Sequence, residues 1–140
     1  MRKLVIAAMI AAITALAACG SGSPSTQTVH GQVIGGTQAA ATVASALGGG
    51  AGICGGAVGG TQVIIKGPSG KLLATTTLSK NAKATSALSL PSSLSSSGQV
   101  GVYEFKTTIP AGSGPYTVEL VGVNSIVVSA KQLHHLHLTC

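Results

Sequence analysis

The chain has 140 residues, 20 of them glycine, and a formal net charge of +6 from eight Lys and Arg against two acidic residues. It contains no Asp and no Trp, and its two carboxylates, Glu104 and Glu119, are too few for a calcium cage, which takes several oxygen ligands. The basic residues are scattered and aromatic residues make up only 2%, so neither the clustered basic face nor the stacking rings of a nucleic-acid site are visible, and no nucleic-acid partner is expected.

Arg2 and Lys3 open the chain and are followed by 15 residues, Leu4 to Ala18, without a charge. A membrane-spanning helix takes about 20 apolar residues. A shorter run with a basic leader and small residues at its end reads as a secretory signal peptide. Leu16-Ala17-Ala18-Cys19 resembles the lipobox of bacterial lipoproteins. That resemblance implies cleavage between Ala18 and Cys19 and a diacylglycerol on the Cys19 thiol. The two or three acyl chains expected there, at about 0.8 kcal/mol per buried methylene, anchor a protein without spanning the bilayer. The implied location is the cell envelope, outside the cytoplasm. Residues 19–28 then form the lipidated N-terminus and a Gly/Ser/Thr-rich tether, and residues 29–140 the folded domain. With the leader removed, six lysines face two glutamates and the net charge is +4. That charge suits weak attraction to anionic lipid heads or acidic wall polymers.

Within the domain, Thr28 to Gly35 reads as a first strand, with Val29, Gly31 and Val33 alternating against His30, Gln32 and Ile34. Gln38 to Gly60 is rich in Ala and Gly and lacks a clear period. It suggests a helical turn near Ala39 to Leu47 and a glycine loop around Cys54. That loop lacks the Lys-Ser/Thr that completes a phosphate loop. Thr61 to Lys66 and Lys71 to Leu78 read as a hairpin across Gly67-Pro68-Ser69-Gly70. Ser79 to Gln99 is a serine-rich connection, read as a mobile loop or as hiding a short strand near Ser86 to Leu90. Val100 to Ile109 is a strand with Tyr103, Phe105, Thr107 and Ile109 on one face and Val102, Glu104 and Lys106 on the other. Tyr116 to Val121, Ser125 to Ser129 and Leu133 to Thr139 complete the pattern. About seven short strands with frequent turns predict an all-β domain, a single antiparallel β-sandwich with a Val/Ile/Leu core.

With Cys19 lipidated, Cys54 and Cys140 remain. In an oxidising compartment an even pair suggests a disulfide, the alternative being free or intermolecular thiols. The segment from Cys54 to Leu138 is similar to a family of uncharacterised exported proteins and lipoproteins of actinobacteria. The residues that carry this are Gly60-Thr61-Gln62-Val63, Ser69 to Thr76, Tyr103-Glu104-Phe105, Ile109-Pro110 and Tyr116 to Leu120. The same grammar resembles transthyretin-like and carboxypeptidase-regulatory-like sandwiches, and it implies an Ig-like or transthyretin-like fold. Members of the exported family tend to carry a second cysteine near the Tyr103 strand. Here Cys140 is the partner available to Cys54.

One cluster could carry chemistry: His134-His135-Leu136-His137-Leu138-Thr139-Cys140. On a strand, His135 and His137 share a face, and His134 joins Leu136, Leu138 and Cys140 on the other. Two imidazoles at that spacing can share Zn²⁺ or Cu²⁺, with a third ligand from His30 or Glu104. The competing reading is a closing strand whose leucines face the core. No G-x-S-x-G elbow is present, and no spacing supports a Ser–His–Glu triad with Glu104 or Glu119. The sequence therefore predicts a non-catalytic envelope module without a cofactor. It would bind, adhere to or scaffold an envelope protein or wall polymer, with Ser79 to Gln99 as the natural contact surface.

Overall fold

The computed structural model describes residues 23–46, 52–90, 92–95 and 100–140. The leader, the cleavage site at Ala18 and Cys19 and the first part of the tether lie outside the described residues. Strands dominate. They run β1 (Thr26–Gly36), β2 (Ile53–Gly55), β3 (Gln62–Lys66), β4 (Leu72–Thr77), β5 (Ser79–Lys80), β6 (Val100–Pro110), β7 (Tyr116–Leu120), β8 (Asn124–Val128) and β9 (Leu136–Leu138). Among the described residues three short helices accompany them, α1 (Gln38–Ala46), α2 (Ala82–Ser86) and α3 (Ser92–Ser95), with a 3₁₀ turn at Gln132–His134. No helix among the described residues is long and apolar enough to cross a membrane.

One sheet has the order β2-β1-β6-β5, with β9 also paired to β1; the other has the order β4-β3-β7-β8. β1 and β6 pair antiparallel along their whole length, from Thr26 opposite Pro110 to Gly36 opposite Val100. Alternation dictates what each buries. Val29 and Val33 of β1, Tyr103, Phe105 and Ile109 of β6, and Leu136 and Leu138 of β9 turn inward. They meet Val63 and Ile65 of β3, Tyr116, Val118 and Leu120 of β7, and Val128 of β8 in one apolar core. Burying a Val, Ile, Leu or Phe side chain contributes about 1.5–3 kcal/mol, and no polar or charged side chain is buried among the described residues. Gly31 makes room for one of these groups: a Cβ there would overlap the Phe105 ring.

Four expectations change. β1 begins at Thr26, inside the stretch read as tether, because Thr26 to Thr28 find backbone partners in Thr108 to Pro110. Gln27 Nε2 also donates to the Tyr116 hydroxyl at 3.0 Å. Cys54 sits on β2, not in a loop, and β2 pairs parallel to β1. β9 is parallel to β1 as well, so the sheet is mixed and not purely antiparallel. In the connection after β4, the strand lies at Ser79–Lys80 and not near Ser86 to Leu90, where α2 and its exit stand.

Asn81 explains α2. Its Oδ1 accepts from the Ala84 amide at 2.9 Å, which caps one of the N–H groups left unpaired at a helix start. Thr85 Oγ1 then accepts from the Val102 amide at 2.9 Å and docks the helix on β6. Leu94 of α3 joins Ala40 of α1 and Val100 of β6 in a second, smaller apolar cluster, with Ile34, Ile53 and Leu90 packed against it.

β2 and β9 occupy the same edge of β1 in succession. β9 covers Gly31 to Val33 and β2 covers Ile34 to Gly36. After Leu138 the chain would run into β2, and it leaves the sheet. Two residues later Cys140 is bonded to the fully buried Cys54, with a Cα–Cα distance of 5.2 Å and a sequence separation of 86. The disulfide thus joins the two short strands that divide one edge between them.

Candidate functional site

On β1 the inward Val29, Gly31 and Val33 send His30, Gln32 and Ile34 to the outer face of the sheet. Register sets their neighbours. His30 lies opposite Lys106, Gln32 lies between Glu104 and His137, and Ile34 lies opposite Val102. His30, Gln32, Glu104, Lys106 and His137 are therefore brought together on one face from three strands far apart in sequence.

Glu104 is fixed there by two neighbours. Asn81 Nδ2 donates to Glu104 Oε2 at 2.9 Å, and His30 Nε2 lies 3.8 Å from the same oxygen. The His30–Glu104 pair is partly exposed, and such pairs contribute at most about 1 kcal/mol. Glu119 stands on β7 in the other sheet, where Lys66 Nζ donates to it at 2.8 Å. Their partners in the inward pattern place the two glutamates on opposite outer faces, so they cannot flank one bond as a glycosidase pair must. Ser79 Oγ, beside Glu104, donates to the Glu104 backbone oxygen at 3.2 Å.

The histidine cluster is arranged differently from the strand that its spacing suggested. His134 belongs to the 3₁₀ turn, and its Nδ1 sits 3.2 Å from the Thr28 carbonyl oxygen of β1. The strand is limited to Leu136–Leu138 because the Gln132 carbonyl accepts the His135 amide at 3.3 Å and closes the turn first. His135 and His137 are exposed, and with His30, Gln32 and Leu136 they line a depression of about 240 Å³. His30 is thus the third imidazole at this place. Among the described residues no group of three or more His, Cys, Asp or Glu side chains is arranged to hold a metal ion.

A second depression, of about 460 Å³, adjoins the first and shares Gln32 and His137 with it. Its floor is Ile34 and Val102, and Ala84, Ala87 and Leu88 of α2 and its exit stand over it. Sequence reasoning missed this pocket. Its signal was present in Asn81, whose capping of α2 raises those three side chains beside the sheet.

Comparison with protein-family models, with curated proteins and with solved structures finds no match to this chain.

Proposed function

We propose that this chain is a lipid-anchored module of a cell envelope, held outside the cytoplasm, that binds, adheres or scaffolds without catalysis. One observation carries the reading. Cys54 and Cys140 are joined to each other, which leaves Cys19 as the single remaining cysteine, directly after a basic, apolar leader. Disulfides persist in oxidising compartments, so the bond and the leader support the same address. Two sheets closing on one core support a β-sandwich of Ig-like or transthyretin-like kind, carried on a short tether. An envelope protein or wall polymer would be the partner. The test is metabolic labelling with an alkyne-tagged fatty acid. The native chain takes up label and its mature mass begins at Cys19, whereas Cys19→Ser takes up none. Unlabelled native product, or a retained leader, overturns the reading.

A second reading is a divalent-metal-binding envelope protein that uses His135 and His137, two exposed imidazoles lining one depression. Neutral imidazoles take Zn²⁺ or Cu²⁺, and metal that binds only the folded state raises its melting temperature. On this reading Cu²⁺ or Zn²⁺ raises the melting temperature of the native chain and leaves that of His135→Ala/His137→Ala unchanged. Identical melting curves with and without metal would remove it.

A further inference from the structure

We propose that the outer face of the five-stranded sheet binds a single-chain fatty carboxylate. The tail lies in the larger depression and the carboxylate at the imidazole-lined end. The two depressions share Gln32 and His137, so they form one trough with unlike halves. One half is floored by Ile34 and Val102 and walled by Leu88, side chains that an outer sheet face would ordinarily leave polar. Its volume of about 460 Å³ lies in the range of small-molecule sites, about 300–1,000 Å³.

The apolar half offers little to a sugar or a nucleotide, which need several convergent polar groups. It also offers little to an extended peptide seeking a strand partner, because β1 here is already paired on both edges. An alkyl chain asks only for the apolar surface that is present. At the other end stand three imidazoles, with Lys106 opposite His30 on the same outer face. Each can donate a hydrogen bond to a carboxylate, and bonds to a charged group are the stronger kind. Glu104 is the carboxylate on this face, but it is engaged by Asn81 and His30 and stands across β1 from His137. The head therefore belongs on the His135–His137 side. This inference rests on the trough and not on the anchor at Cys19.

The probe is laurate, titrated below its micellar concentration into the exported chain carrying Cys19→Ser, which cannot be acylated. Calorimetry reports affinity, and methyl NMR reports position through Ile34, Leu88 and Val102. Laurate binds at one site and shifts those three methyl groups. Lauryl alcohol, with the same tail and no charge, binds roughly tenfold more weakly. His135→Ala/His137→Ala removes that preference, so that acid and alcohol bind alike. Ala87→Trp, an exposed position over the trough, abolishes binding of both. Absence of laurate binding, shifts confined to other methyl groups, or equal affinity for acid and alcohol overturns the proposal. The NMR arm decides the position even if the tryptophan variant fails to fold.

Discussion

Replacing Cys54 and Cys140 together by alanine is expected to lower the unfolding free energy of the domain by about 4–5 kcal/mol. The cross-link closes a loop with a sequence separation of 86, and in the chain-entropy model a loop of that size constrains the unfolded chain by this amount. Native stabilities are about 5–15 kcal/mol, so the loss is a large part of the total. Local structure argues in the same direction. β9 is three residues long and holds its place by three parallel pairings to β1. Its Leu136 and Leu138 nevertheless belong to the main core. Without the bond to Cys54, nothing covalent opposes peeling of that strand and exposure of both leucines. Urea unfolding of the oxidised chain and the double variant measures the effect. A difference below about 1 kcal/mol would mean that the strands, and not the bond, hold this edge, against the loop-closure estimate.

The second large effect lies at the crossing of Gly31 and Phe105. Phe105→Ala is expected to cost about 3–5 kcal/mol, the usual range for emptying an aromatic site in a core. Phe105 is 2% exposed and packs among residues of both sheets. Gly31→Ala in the native chain is expected to cost about 1–3 kcal/mol, because a Cβ there meets the Phe105 ring and the neighbours in a packed core have little room to yield. The two changes are coupled. In the Phe105→Ala background the ring is gone, and Gly31→Ala becomes neutral or slightly stabilising, since alanine restricts the unfolded chain more than glycine does. Denaturant midpoints of the four proteins in the cycle test this. Additive losses would show that Gly31 serves something other than clearance for the ring.

The strands that were legible are those whose own residues alternate over several positions. β1, β3, β6 and β7 each alternate inward and outward residues over several positions, with most inward places held by Val, Ile, Leu or an aromatic residue, and Gly67 to Gly70 marks the hairpin between β3 and β4. β2 was hidden because Ile53-Cys54-Gly55 is too short to show a period and sits among glycines. β9 was read too long. The run of leucines and histidines extends back to Leu133, but that residue is out of phase with Leu136 and Leu138, and it is buried by a turn and not by a sheet ladder. The parallel pairings could not be read at all, since alternation states which face is buried and says nothing of which strand lies alongside. The same limit hid the meeting of His30 with His135 and His137. Either segment alone shows imidazoles on an outer face, and only the β1–β9 register brings them together.

The unequal treatment of backbone edges has a consequence for behaviour at high concentration. β1 is bordered by β6 along its whole length on one side and, from Gly31 to Gly36, by β9 and β2 on the other. The four-stranded sheet ends instead on β4 and β8. β8, Asn124 to Val128, carries no charge, and its Val127 is 69% exposed. Sheets commonly protect such a border with lysine, proline or a bulge to discourage templated stacking of one molecule on the next. Should crowding drive this domain to self-associate, that border is where the first foreign strand would find unclaimed amides and carbonyls.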